Sequence, residues 1–130
     1  MERSEYSLAT DKEGLYDITS QVREAVAKSG VMSGLCHVFS PHTTAGISIN
    51  ENSDPDVVTD ILLGLKHAFP DQPAFRHSEG NSAAHLKASA VGSGVILAIA
   101  DGRLVLGTWQ AVFFCEFDGP RHRHFQVNIL

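Results

Sequence analysis

Seven histidines among 130 residues are the first chemical signal in this sequence. Imidazole titrates nearest neutral pH and is the commonest metal-ligating side chain. His42 lies in Pro41-His42-Thr43-Thr44-Ala45-Gly46, a bend between two apolar runs with two hydroxyls beside the ring. Such a loop either carries function on a rigid frame or is a turn whose threonines satisfy backbone groups. His77 and His85 bound the segment His77-Ser78-Glu79-Gly80-Asn81-Ser82-Ala83-Ala84-His85. His85 falls one turn into a short predicted helix, with Ser82 and Ser89 on the same face. Ala83, Ala84, Ala88 and Ala90 let that helix approach another backbone or a ligand closely. Taken alone, His85 suits a satisfied structural histidine as well as it suits a ligand. His37, between Leu35 and Phe39, reads as structural, and His67 as a partner for a helix C-terminus.

Three further segments carry polar groups where they are costly or useful. Ile49-Asn50-Glu51-Asn52-Ser53-Asp54 packs carboxylates and amides between a strand and a helix start, a pattern suited to hard cations or to helix capping. Glu51 ends a strand that begins beside His42, so it is a candidate base or a partner orienting an imidazole. Gly107-Thr108-Trp109-Gln110 opens an apolar strand. Alternation there puts Trp109, Ala111, Phe113, Cys115 and Phe117 on one face, and Thr108, Gln110, Val112, Phe114 and Glu116 on the other. Buried polar groups need partners, so Thr108, Gln110 and Glu116 read either as ligand-facing or as a hydrogen-bond network at a subunit interface. In Arg121-His122-Arg123-His124, Arg121 follows a tight turn and is a candidate for holding a phosphate, while at least one arginine of the run reads as a solvated strand end.

The elements that position these residues are legible from turn and capping chemistry. Residues 4–9 and 15–19 read as strands joined by Asp11-Lys12-Glu13-Gly14. A helix is expected over 20–29, capped by Thr19 or Ser20 and stopped by Gly30, followed by strands near 34–40 and 45–50. Asp54 caps a second helix with Pro55 in its first turn, and Val57, Val58, Ile61, Leu62, Leu65 and Phe69 form its apolar face before Pro70. A short helix spans 82–91 with Gly92 as its C-terminal cap. Val95–Ala100 and Leu104–Phe117 pair through Asp101-Gly102, and 125–130 is the last strand. The fold class is α+β, a single compact domain with an antiparallel β-sheet packed against two to three helices.

Composition excludes several classes. The length fits one domain at about 150 residues per domain. The formal net charge of -5 argues against a nucleic-acid partner. No apolar run approaches the roughly 18 residues that would span a membrane, and Met1–Glu5 lacks the apolar segment of a signal peptide. Cys36 and Cys115 lie in separate apolar stretches, outside any CxxC motif, and read as buried reduced thiols of a cytoplasmic protein.

Several of these segments occur together in a characteristic order: His42-Thr43-Thr44-Ala45, Asn50-Glu51-Asn52, Asp54-Pro55-Asp56, Ala84-His85-Leu86-Lys87-Ala88-Ser89, Asp101-Gly102-Arg103-Leu104, Gly107-Thr108-Trp109-Gln110 and Cys115-Glu116-Phe117-Asp118-Gly119-Pro120-Arg121. Over nearly the whole chain this resembles the YjbQ-like family, often labelled secondary thiamine-phosphate synthase. The resemblance implies a small α+β fold assembling as a homotrimer, a histidine-rich metal-associated pocket and a weak thiamine-phosphate synthase activity. It implies His42, His77 and His85 as the metal-facing residues. Imidazole donors favour zinc, whereas pyrophosphate departure favours magnesium with oxygen ligands, so the expected divalent ion is one of these two. Glu51 and Gln110 are the expected catalytic residues, and Thr108, Arg121 and Asn50 the expected contacts to a small phosphorylated metabolite. Glu51, Thr108, Gln110 and Arg121 are expected to gather near the histidines, within one chain or across a subunit boundary. The competing expectation is a non-catalytic trimeric protein that binds a metabolite or metal. The face bearing Trp109, Phe113 and Phe117 is the expected trimer surface.

Overall fold

In a computed structural model describing residues 1–130, eleven elements follow one another. They are β1 (Glu2–Thr10), β2 (Gly14–Asp17), α1 (Thr19–Ser29), β3 (Ser33–Phe39), β4 (Ala45–Glu51), α2 (Pro55–Ala68), α3 (Ser82–Val91), β5 (Gly94–Ala100), β6 (Arg103–Leu104), β7 (Gln110–Glu116) and β8 (Arg121–Ile129). Two antiparallel sheets result, one ordered β1-β8-β3-β5-β6 and the other β2-β7-β4. The α+β class expected from the sequence is the one observed.

Alternation along β7 organises the layers. Val112 and Phe114 point between the sheets and join Val38, Ile47, Phe125, Val127 and the α1 residues Val22 and Val26 in the main core. Ala111, Phe113, Cys115 and Phe117 point the other way, onto Ala84 and Ala88 of α3. Because residues two apart share a face, one apolar strand supplies both cores. Both cysteines are buried and unpaired.

Several local expectations need correction. The two strands joined by Asp11–Gly14 do not pair with each other: β1 pairs with β8 and β2 with β7. The turn between them instead carries the chain from one sheet to the other. Ile18, not Thr19 or Ser20, caps α1, and it does so without a side-chain bond. Thr19 Oγ1 is committed elsewhere, donating to Asp17 Oδ1 at 2.6 Å and accepting from Val112 N–H at 2.9 Å. The long strand expected over 104–117 is broken, because β6 ends at Leu104 and β7 starts at Gln110. The last strand starts at Arg121, four residues earlier than expected, so it pairs with all of β1.

The α2 cap is as expected, with Asp54 accepting from Asp56 N–H at 2.9 Å and Pro55 in the first turn. Its apolar face is not fully covered. No α2 residue is buried, and only Val58 and Leu65 pack on the second core. The expected trimer surface also changes. Phe113 and Phe117 are buried inside the chain, and of that set only Trp109 lies outside, in the segment between β6 and β7.

A polar histidine-lined cavity as candidate functional site

The bend Pro41–Thr44 links β3 of one sheet to β4 of the other, so it sits at the rim between them. Beside it stands the start of α3. The turn before α3 closes when Gly80 N–H donates to the His77 carbonyl at 3.1 Å, with Gly80 at φ 73, a conformation glycine adopts freely. That closure brings the His77 ring over His85, the centroids 5.3 Å apart and the planes nearly perpendicular. The third wall is β8, which presents Arg121 and Arg123.

These walls enclose about 380 Å³. The ten lining residues include His42, His77, His85 and Arg121, and none is hydrophobic. A second depression of about 540 Å³ adjoins it, sharing His42, Thr43 and His85 and continuing over Ala45, Ala88, Ser89, Gly92 and Ser93. Thus four of the expected site residues share one cavity.

The other four do not. Ala45 pairs with Glu116 at one end of the β4–β7 ladder, and Glu51 pairs with Gln110 at the other. A seven-residue strand at about 3.3 Å per residue separates those ends by about 20 Å. Asn50, Glu51, Thr108 and Gln110 therefore lie far from the histidines of their own chain. Gln110 is occupied locally, its Oε1 accepting from Gly107 N–H at 2.8 Å. Asn50 Oδ1 accepts from Glu51 N–H at 2.7 Å.

A buried ionic network that the sequence reading missed fixes the rim. Glu116 is fully buried and Arg123 is 4% exposed. Arg123 Nε donates to Glu116 Oε1 at 2.7 Å, and its Nη2 donates to Glu116 Oε2. Thr10 Oγ1 donates to Oε1 at 2.7 Å and Asp118 N–H to Oε2 at 2.9 Å. Arg123 Nη2 also donates to Thr44 Oγ1 at 2.9 Å, so the pair holds the end of the His42 bend. Burial pushes the Glu116 carboxyl up, but Arg123, Thr10 and Asp118 together outweigh it and hold it below the usual range. The available signal was the buried-side alternation Arg123-Phe125-Val127-Ile129, visible once β8 is begun at Arg121.

His124, also missed, sets the state of His42. Its backbone N–H donates to His42 Nε2 at 2.9 Å, and the two rings stack with centroids 6.3 Å apart. An accepting Nε2 places the proton of a neutral ring on Nδ1. Burial, then the charges of Arg123 and His124, lower the His42 pKa, so the ring is neutral at pH 7. Arg121 donates through Nε to the Asp118 carbonyl at 2.9 Å and through Nη2 to Asp118 Oδ2 at 2.7 Å. Nη1 makes no hydrogen bond in the chain and stays free for an anion. Asn81 Nδ2 donates to Asp118 Oδ2 at 2.7 Å, while Asn81 Oδ1 is a buried acceptor without a partner.

The fit to a divalent ion is partial. No three His, Cys, Asp or Glu side chains form a metal cage. His77 and His85 lie close together, their ring centroids 5.3 Å apart in an edge-to-face arrangement. His42 does not fit as a third ligand in its observed state, because its Nε2 lone pair already accepts the His124 N–H.

The profile of the family described as "UPF0047 protein YjbQ-like" matches residues 4–130. The chain belongs to this family. A UPF0047 protein of Methanocaldococcus jannaschii is 50% identical over 126 residues, covering 96% of this chain and 91% of its own. YugU of Bacillus subtilis, also a UPF0047 protein, is 45% identical, with 93% and 92% covered. A crystal structure of a YjbQ/UPF0047 protein from Clostridium acetobutylicum superposes with a TM-score of 0.95 at 53% identity, covering 98% of this chain and 99% of that one. A protein of unknown function from Sulfolobus solfataricus superposes with a TM-score of 0.94 at 36% identity, with 98% and 95% covered. The YjbQ fold is therefore shared along almost the whole chain. No helix of this YjbQ chain is long and apolar enough to cross a membrane.

Proposed function

We propose that the histidine-lined cavity binds and transforms a small phosphorylated metabolite, as a metal-associated enzyme with weak thiamine-phosphate synthase activity. The carrying observation is the single cavity without hydrophobic lining that unites His42, His77, His85 and Arg121. The free Nη1 of Arg121, the Thr43 hydroxyl and the Nδ1–H of His42 supply donors to phosphate oxygens. His77 and His85 are the proposed holders of a divalent ion, zinc in preference to magnesium because both donors are imidazoles. When bound, such an ion neutralises a departing pyrophosphate, or in a hydrolase lowers the pKa of water. Glu79 Oε1 lies 3.9 Å from His77 Nε2, beyond hydrogen-bond reach. Two unpaired thiols suit the reducing cytoplasm.

The chain is proposed to work as a homotrimer. With Phe113 and Phe117 buried, the partly uncovered α2 face, where Leu63 is 52% exposed, takes over as the surface a second copy would cover. Light scattering at micromolar concentration tests this, with a Leu63→Glu variant expected to dissociate; a stable 14.0 kDa monomer of the parent protein refutes it. A non-catalytic binding role is favoured by one observation, that His42 Nε2 and the Arg123–Glu116 pair are committed to internal bonds.

Calorimetric titration with zinc, magnesium and pyrophosphate, paired with an assay for release of pyrophosphate or inorganic phosphate, separates these readings. His77→Ala and His85→Ala are each expected to lose zinc affinity by at least about tenfold, the cost of a lost ligand or of its support. Arg121→Lys should weaken pyrophosphate binding, because lysine lacks the planar fork. Unchanged zinc binding in both histidine variants removes them as ligands. Tight binding without release of pyrophosphate or inorganic phosphate from any phosphorylated substrate leaves the non-catalytic role.

A further inference from the structure

A recess larger than the histidine-lined one lies open to solvent elsewhere on the molecule. It lies at the opposite end of the β4–β7 ladder, measures about 620 Å³, and is lined by residues that include Asp17, Arg23, Asn52, Thr108, Trp109 and Gln110. Its volume is in the range of small-molecule sites, about 300–1,000 Å³.

Trp109 is the only tryptophan of the chain, and it is 63% exposed. Leaving an indole in water forgoes one of the largest apolar gains a side chain offers. The exposure is not the result of a loose loop. Gln110 N–H donates to the Gly107 carbonyl at 3.1 Å, and Gly107 N–H donates back to Gln110 Oε1 at 2.8 Å. Asn52 N–H donates to the Trp109 carbonyl at 3.1 Å. Asn52 Nδ2 in turn donates to Asp17 Oδ2 at 2.6 Å, while Asp17 Oδ1 accepts from the Thr19 N–H and hydroxyl. The Trp109 backbone is thus tied to β4's end and to the start of α1, and the indole is held out as a preformed surface.

The charged groups of the lining differ in their freedom. Both oxygens of Asp17 already accept hydrogen bonds. Arg23, on the exposed side of α1, lines the cavity and takes part in none of the ion pairs of the chain. A free guanidinium and an uncovered indole in one recess recognise a flat ring that carries negative charge, by stacking and by a charge-assisted bond. We propose that this cavity is a second binding site, taking a compact planar aromatic anion with its ring on Trp109 and its anionic group on Arg23. It stands independently of the histidine-lined cavity.

Because Trp109 is the only tryptophan, its fluorescence reports this site alone. The full chain is titrated with AMP, adenosine and inorganic phosphate under selective tryptophan excitation. AMP is expected to quench saturably, adenosine to bind about tenfold more weakly for want of the charged bond, and phosphate to leave the emission unchanged. Arg23→Gln, at an exposed helix position, should reduce AMP affinity to the adenosine level. His85→Ala should leave AMP binding intact. Absence of saturable quenching, an unaltered AMP affinity in Arg23→Gln, or loss of AMP binding in His85→Ala overturns the proposal. So does an emission maximum that moves to longer wavelength on dilution as an oligomer dissociates, since the indole is then covered by a second copy of the chain.

Discussion

Replacing Arg123 by Met removes one half of the most deeply buried ion pair and leaves the other half in place. Glu116 then keeps two donors, the Thr10 hydroxyl at 2.7 Å and the Asp118 N–H at 2.9 Å, and loses both guanidinium contacts. Its carboxylate has no solvent exposure with which to compensate. Breaking a buried pair in this way costs about 3–5 kcal/mol, whereas replacing both partners by apolar groups of similar volume is often close to neutral. Urea unfolding at pH 7 of Arg123→Met, Glu116→Leu and the double variant therefore has a definite expected pattern. Each single variant loses about 3 kcal/mol or more, and the double variant is less destabilised than the sum of the two. The pH dependence gives an independent sign. In the parent protein Glu116 is held below its usual range, so its contribution is complete above the unfolded carboxyl pKa of about 4.3 and is lost as pH falls through the lower folded value. In Arg123→Met burial prevails, the folded pKa rises above the unfolded one, and the variant should gain stability relative to the parent on going from pH 7 to pH 5. A loss under about 1 kcal/mol for Arg123→Met at pH 7, strict additivity in the cycle, or a stability that falls from pH 7 to pH 5 by as much as the parent's does would refute the reasoning.

Three other outcomes are expected. His42 should titrate below 6.5 by NMR, and its contribution to stability, present above that unfolded value, should fade as pH drops from 6.5 through the lower folded pKa; a midpoint at or above 6.5 contradicts the burial and the charges of Arg123 and His124 as causes. Gly46→Ala would place a Cβ 2.6 Å from the Gly92 carbonyl oxygen and 3.2 Å from Val91, so the end of α3 must move. Overpacking of this kind costs about 1–3 kcal/mol and should weaken zinc binding through His85, while a thermal midpoint and affinity equal to the parent's would show that the contact is soft. Burial pushes the Cys36 thiol up to about 11 and the Cys115 thiol up to about 12, so the folded protein should resist a thiol reagent at pH 8, with full reaction only after unfolding; rapid labelling of the folded state contradicts this.

Much of the molecule was determined by short-range chemistry that a sequence displays. The Asp54-Pro55 start of α2, the Gly30 stop of α1 at φ 70 and the Asp101-Gly102 turn between β5 and β6 each depend on residues within one turn of one another. The two faces of β7 were legible for the same reason, because alternation is a property of the strand itself. His42, His77, His85 and Arg121 were identifiable by type and by their place outside apolar runs, and they do line one cavity. What the sequence did not contain was distance. Glu51 is nine residues from His42 in the chain, yet β4 is extended and carries it about 20 Å away, whereas Glu116 and Arg123, read as belonging to different clusters, meet in the core. Polar residues in an apolar strand announce that they need partners, but the choice among partners is made by strand pairing between β1 and β8, β4 and β7, and β2 and β7. Those pairings join segments up to the full length of the chain apart, and only the folded backbone decides which side chains they bring within hydrogen-bond reach.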